Sequence, residues 1–481
     1  MLKPLFIVIM TSLLFNHAVH AETLLELYQL AEKNDPSLKV TSSERLITKE
    51  KKTQTQSTLM PQVNVGAEMR QQWHDDDWLL FNDSERTSAS YNVSLRYPLF
   101  RENVALAVKQ ADSYIDKAEA VYESERQSLM EKVATRYFDV LSANDNLSFV
   151  RSAKKSFQKQ FERSKARLEV GFGVITEVKE SQAAYELAIA DELQAENSLN
   201  TTIESLRELT GEYHHTLASL SPKLPLEEPK PNDMDKWTEI AFKNNPLLAA
   251  VHQDVIAARQ EIGKQRATNK LPTVDLVAEH SYTDTIRGDD VFGGGTNNSI
   301  AVQLNYSFFE GGAKKSYLRE AQERYTQTLD KLELQKRIVQ LQTHNAYLNV
   351  MSNISRVKAL KQAMLSTETA LEAVQEEIKV GTRIINDFLD ARRDLLQAQR
   401  NYAAARYDYV LNILRLKQAA GLLDKEALET VNAWLVAANA AETTTSEKSE
   451  KSHSEESKKS NSDSDDSDTT EKNEKETVET E

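Results

Sequence analysis

The 481-residue chain has no cysteine, which excludes disulfide stapling, thiolate catalysis and cysteine-ligated metals. Nowhere does it run to the 18 to 20 consecutive apolar residues, roughly, that a membrane-spanning helix needs, so any crossing of a bilayer must be made by strands. It has only ten prolines, and none lies between Pro98 and Pro222 or after Pro272. Glycine is missing from 101–170 and from 313–380, so both strong helix breakers are absent from two runs of about 70 residues. A 68-residue helix would be about 100 Å long, more than a globular domain needs. His214-His215 is the one histidine cluster, and neither a carboxylate-flanked helical histidine pair nor a phosphate-binding glycine loop accompanies it. Enzyme chemistry, cofactors, resident metals and nucleic-acid binding are therefore not expected.

The formal charge of −15 is uneven. From Glu442 to Glu481 there are 14 acidic and 6 basic residues, so −8 of it belongs to the tail. With almost nothing apolar to bury, residues 441–481 are expected to be a solvated, disordered extension. At the other end, Lys3, the apolar run Leu5 to Leu14 and the small-residue exit Val19-His20-Ala21 read as a signal peptide over residues 1–21, cleaved before Glu22.

Two glycine-centred tips, at Gly171 and Gly381, are the only breaks in the long helical pattern, and they lie 210 residues apart. Pro36 and Pro246, Tyr137 and Tyr347, and Gly211 and Gly421 share that spacing, which indicates a duplicated unit. The reading is a first repeat over 22–221, a proline-rich linker over 222–236, and a second repeat with a C-terminal segment over 237–440. In each copy a return helix of about 35 residues follows the tip and ends at Gly211 or Gly421, half the length of the outgoing one. Residues 23–59 and 237–271 carry helical patterning of similar length, so each is expected to form the missing half. Leu395, Ala398, Tyr402, Ala405, Tyr409 and Leu416, with Asn412 at one seam position, follow a coiled-coil heptad. Val133, Tyr137, Val140 and Leu141 mark an apolar stripe on the first long helix.

Between half-helix and long helix, each copy has two stretches of period-two alternation. Val63, Val65, Ala67 and Met69 alternate with polar residues, as do Tyr91, Val93, Leu95, Tyr97 and Leu99. Val274, Leu276 and Ala278 do so imperfectly because of Val277, and Ile300, Val302, Leu304, Tyr306 and Phe308 do so cleanly. Trp73, Trp78, Phe81, Tyr282 and Phe292 at one end, and Tyr97, Phe100, Tyr306, Phe308 and Phe309 at the other, suggest the aromatic girdles of a membrane barrel. Four strands cannot close a barrel, and an open edge in lipid is prohibitive, so strands must be shared among subunits: two copies would give eight, three would give twelve and room for a channel. A soluble coiled-coil adaptor of an export system is the alternative for an exported hairpin protein, although it has no use for such strands.

The second tip, Val380-Gly381-Thr382-Arg383, followed by Asp387, Leu389-Asp390-Ala391, Asn401-Tyr402 and Ala405-Arg406-Tyr407, resembles the TolC outer-membrane channel family. Leu27-Tyr28-Gln29, Asn34-Asp35-Pro36, Met60-Pro61-Gln62 and Ile175-Thr176-Glu177-Val178 carry the likeness along the chain. It implies a mainly helical, TolC-like homotrimer, with a twelve-stranded barrel in the Gram-negative outer membrane continuing into a twelve-helix periplasmic tunnel. It implies as partners outer-membrane lipid, periplasmic adaptor (membrane fusion) proteins and inner-membrane RND or ABC pumps, in drug efflux or type I secretion. Under that resemblance Asp387 and Asp390 match carboxylates ringing the closed entrance, and Arg406 an arginine tying neighbouring coils, with Thr176 and Glu177 as its partners. Ile378 stands where the family has a gate-locking tyrosine, so one hydrogen bond is expected to be missing. Gly171, Val174, Gly381, Thr382 and Arg383 would form the tip surface met by an adaptor.

Overall fold

A computed structural model describes residues 21–74, 84–214, 216–287 and 294–436. The signal-peptide reading apart from Ala21, the aromatics Trp78, Phe81 and Phe292, His215, and the acidic tail lie outside the described residues.

The duplication is visible element by element. The first copy runs α1 (Leu24–Asn34), α2 (Pro36–Ser57), β1 (Gln62–His74), β2 (Ser84–Phe100), α3 (Glu102–Glu169) and α4 (Ile175–Thr210). A short β3 (Ser219–Leu220) follows, and the second copy runs α5 (Met234–Asn244), α6 (Pro246–Lys270), β4 (Thr273–Arg287), β5 (Gly295–Asn305), α7 (Ala313–Lys379) and α8 (Ile385–Ala419). Helix α9 (Lys425–Asn432) and β6 (Leu435–Val436) complete it. The long helices have 68 and 67 residues and the return helices 36 and 35, so the expected two-to-one ratio holds. No described helix is long and apolar enough to cross a membrane.

The expected half-helices are not continuous. Each breaks before its proline, because the ring disfavours the α region at the preceding residue: Asp35 has ψ 124° and Asn245 ψ 120°. Both then cap the next helix, Asp35 accepting from Leu38 N at 2.8 Å and Asn245 from Leu248 N at 3.1 Å. The junctions also serve the return helices, whose last carbonyls lack intrahelical partners: Asn34 donates to Thr210 O at 2.7 Å and Asn245 to Ala419 O at 3.1 Å. This is how half-length helices stack end to end.

The four long strands form one antiparallel sheet ordered β1-β2-β4-β5, leaving β1 and β5 as open edges. Val65 pairs with Val93, Leu95 with Ala278 and Ala278 with Ile300, so the alternating apolar residues share one face. That face is unpartnered among the described residues: Val65 is 76% exposed and Ile300 82%. Val277 pairs with Arg96 and Ala301 on the other face. β5 ends at Asn305, short of the alternation expected through Phe308, because the chain turns at Gly311 and Gly312, both with positive φ. At the base of the sheet, Arg101 grips buried Asp275 with two bonds, Nε to Oδ1 at 3.0 Å and Nη2 to Oδ2 at 2.8 Å, fixing the start of α3 against β4.

The main core lies at mid-height, where Leu24, Leu27, Tyr28, Leu129, Met130, Tyr137, Phe138, Leu206, Tyr409, Leu414 and Leu428 are fully buried. Tyr137 donates to Ala218 O at 2.6 Å, tying α3 to the strap that precedes β3. Around the wall, α2 packs on α3, α3 on α6 and α6 on α7.

Candidate channel gate at the helical tips

The two tips are built alike. Gly171 (φ 79°) and Gly381 (φ 80°) end their helices in the left-handed conformation. Phe172 N donates to Arg167 O, and Thr382 N to Glu377 O, positions again 210 apart. The surfaces beyond the glycines stay open: Val174, Gly381, Thr382 and Arg383 are exposed.

Asp387 and Asp390 sit in the first two turns of α8. Asp387 accepts from Ile384 N at 3.4 Å and lies 3.6 Å from Arg383, while Asp390 pairs with Arg393 at 3.0 Å and keeps 70% of its side chain exposed. Within one chain both are therefore helix-start carboxylates, favourable at the positive end of the helix dipole. Arg383 also binds Glu377, Nε to Oε2 at 2.9 Å, and the carboxylates hold its guanidinium above the usual range. Thr176 is exposed, and Glu177 holds one buried oxygen, Oε2, with no hydrogen-bond partner among the described residues.

Arg406 is not at the tip. It lies 21 residues past the start of α8, about 30 Å along the helix, and donates through Nη2 to Leu220 O at 3.1 Å and Ser221 O at 2.6 Å. It is an equatorial strap residue and cannot reach Thr176 or Glu177 in its own chain. The arginine the tip does hold is Arg383. Arg406 was matched by resemblance alone, whereas Arg383, two residues past the tip glycine, is placed by the turn itself.

An apolar clasp, which the sequence reading missed, joins the coils near the tip. Ile385, Phe388 and Leu389 of α8, with Leu371 of α7, pack on Ala153 and Phe157 of α3 and on Ala184 and Ala188 of α4. Their spacing of i, i+3 and i+4 directly after the tip was the available signal. Ile378 packs against the same cluster, so where a tyrosine would offer a hydroxyl this chain offers apolar contact.

Higher up, the coils meet through polar groups. Tyr407 donates to Asp145 Oδ2 at 2.7 Å. Burial pushes the Asp145 carboxyl up, and the Tyr407 bond and Arg406 pull it back. A carboxyl raised above its unfolded value binds its proton more tightly in the native state, so this group lowers stability as pH rises through the window between the two values. Removing the Tyr407 hydroxyl widens the window upward. Tyr407→Phe is expected to cost about 1–3 kcal/mol at neutral pH and less in acid, as denaturant midpoints across a pH series would show.

A duplicated pair of coiled-coil hairpins beneath an edge-open sheet with an apolar outer face defines a class, the outer-membrane channels. The chain matches the family model "Outer membrane efflux protein" over residues 27–212 and 237–422. It is 34% identical over 442 residues to outer membrane protein TolC of Vibrio cholerae, covering 91% of this chain and 99% of that one. It is 26% identical to the alkaline protease secretion protein AprF of Pseudomonas aeruginosa, covering 89% of each. The Campylobacter jejuni CmeC outer membrane channel shares the fold, with a TM-score of 0.73 at 16% identity over 86% of this chain and 90% of that one. The chain belongs to the outer membrane efflux protein family. It is an outer-membrane exit duct of the efflux and secretion kind, not an adaptor, and the proteins it resembles are channels, not enzymes.

Proposed function

We propose that three copies close a twelve-stranded barrel in the outer membrane and continue it as a twelve-helix tunnel through the periplasm, a passive conduit shut at the inner tips. The sheet carries this reading: four strands with two unpaired edges are stable in lipid only when neighbouring copies pair β1 with β5. The helical wall supports it with complementary rims. Val40 and Ile47 on α2, and Leu334, Leu341 and Leu348 on α7, are each more than half exposed and recur every seven residues, as a coiled-coil contact between copies requires.

In such a trimer Asp387 and Asp390 form stacked carboxylate rings at the entrance. At about 6 Å apart, each pair repels by about 3 kcal/mol at an effective dielectric near 20, which draws cations into the ring. Arg383 takes the tying role assigned from sequence to Arg406, and the unpartnered oxygen of Glu177 is a fitting acceptor across the subunit boundary. Gly171, Val174, Gly381, Thr382 and Arg383 form the surface offered to an adaptor, and RND or ABC pumps would supply the energy.

Single-channel conductance in planar bilayers tests this. Wild type should give a low, cation-preferring conductance, and Asp387→Ala with Asp390→Ala should abolish that preference. Arg383→Ser should raise conductance while Arg406→Ser leaves the gate shut. No channel under any condition, or no protein in the outer-membrane fraction, would defeat the proposal.

A further inference from the structure

On α8, two arginines two turns apart face α3 and form no ion pair among the described residues. Arg392 donates through Nη2 to Ser152 Oγ at 2.9 Å, and its Nε is buried and unpartnered. Arg400 lines a cavity of about 360 Å³ with Asp139, Asn146, Ser198, Thr202 and Asn401, and both its Nε and Asn146 Oδ1 are buried without a partner among the described residues. No described carboxylate pairs with either guanidinium, though neighbouring arginines are all engaged: Arg151 by Glu192 and Glu196, Arg356 by Asp408, Arg393 by Asp390, Arg415 by Glu131. The cavity's own carboxylate, Asp139, is drawn to Arg136 at 3.8 Å instead of Arg400, and nearby Asp145 holds Tyr407. Burial without an acid partner holds the Arg392 guanidinium below its usual range. In a chain of net charge −15, two open arginines in one seam leave room for an anionic guest.

We propose that this seam binds the chain's own acidic tail, with Arg392 and Arg400 taking carboxylates of the segment Asp463 to Asp468. That segment carries Asp463, Asp465, Asp466 and Asp468, and no lysine or arginine occurs between Lys459 and Lys472. Its serines, Ser462, Ser464 and Ser467, supply hydroxyl donors for Asn146 Oδ1. The point of departure fits. The described chain ends at Val436, paired with Ser219, and Arg406 holds the carbonyls of Leu220 and Ser221 beside it. From Arg406, Arg400 is about 9 Å and Arg392 about 21 Å further along α8. A linker of 27 residues, the number from Val436 to Asp463, has a reach of about 30 Å, so tethering would keep the acidic segment at high local concentration over both arginines. An acidic helix from another protein would compete against that permanent tether.

The absence of cysteine makes the test direct. Spin labels at Ser464→Cys and Asn197→Cys, an exposed α4 position beside the cavity, report their separation by double electron–electron resonance in the full-length protein, diluted with unlabelled chain. Wild type at low salt should show a narrow distribution at short distance, since a docked segment is fixed where a merely tethered one is not, and high salt should broaden it. Broadening is also expected in R392Q/R400Q and in D463N/D465N/D466N/D468N, the latter changing nothing in the folded part. A broad distribution in the wild type at low salt would overturn the proposal, whether the seam is then empty or awaits another protein. A narrow distance that survives R392Q/R400Q would place the tail elsewhere and overturn it equally.

Discussion

Gly421→Ala is expected to prevent accumulation of folded protein, while Gly211→Ala, the same substitution at the duplicated position, is tolerated. Both glycines end a return helix in the left-handed region, with φ 71° and 83°. That conformation costs a residue with a Cβ about 1–2 kcal/mol. The surroundings differ. A Cβ on Gly421 would lie 2.3 Å from Asn244 O, 2.5 Å from Asn244 C and 2.8 Å from Asn245 N, all backbone atoms of the junction that caps α6. On Gly211 it would meet only the Asn34 amide, at 3.8 Å. Backbone at 2.3 Å cannot yield without moving α5 from α6 and breaking the Asn245 to Ala419 bond, so overpacking adds about 1–3 kcal/mol or more to the conformational cost. Outer-membrane yield and thermal stability of the two variants, measured side by side, decide it. Equal tolerance would mean that the close approach at Gly421 is not a feature of the folded protein.

The second large effect is expected from Phe388→Ala. Phe388 is 6% exposed and stands in the clasp that holds the α7–α8 tip against α3 and α4, together with Ile385, Leu389 and Phe157. Emptying a buried phenylalanine site costs about 3–5 kcal/mol. Here the loss falls on the docking of one coil upon another. The mid-height core around Tyr137, Tyr409 and Leu414 shares no buried residue with this cluster and should be unaffected. The expected result is therefore a protein of near-normal melting behaviour whose conductance rises several-fold, because the clasped arrangement no longer dominates. Val178, 8% exposed on the neighbouring hairpin but outside the clasp, supplies a control: Val178→Ala removes buried surface without opening the channel. Unchanged conductance in Phe388→Ala would show that the electrostatic contacts of Arg383 hold the tip alone.

Much of this architecture was legible in the chain itself. The breaker-free runs and the alternating stretches are local patterns that mark α3, α7 and the individual strands, and the 210-residue register shows that they recur, although the pairing of β2 with β4 is long-range. The glycines of the tips were legible for the same reason, since a left-handed residue at a helix end leaves glycine as the readiest choice. The breaks before Pro36 and Pro246 are also written in the sequence, since proline disfavours the helical region at the residue before it. What could not be read was height and partnership. The resemblance matched Arg406 to a coil-tying arginine with Thr176 and Glu177 as partners, but a match of residue types carries no contacts, and Arg406 grips Leu220 and Ser221 at mid-height. The clasp around Phe388 and the open arginines at Arg392 and Arg400 depend on which turn of α8 meets which turn of α3. That alignment joins residues some 240 positions apart, and only the packed coils decide it.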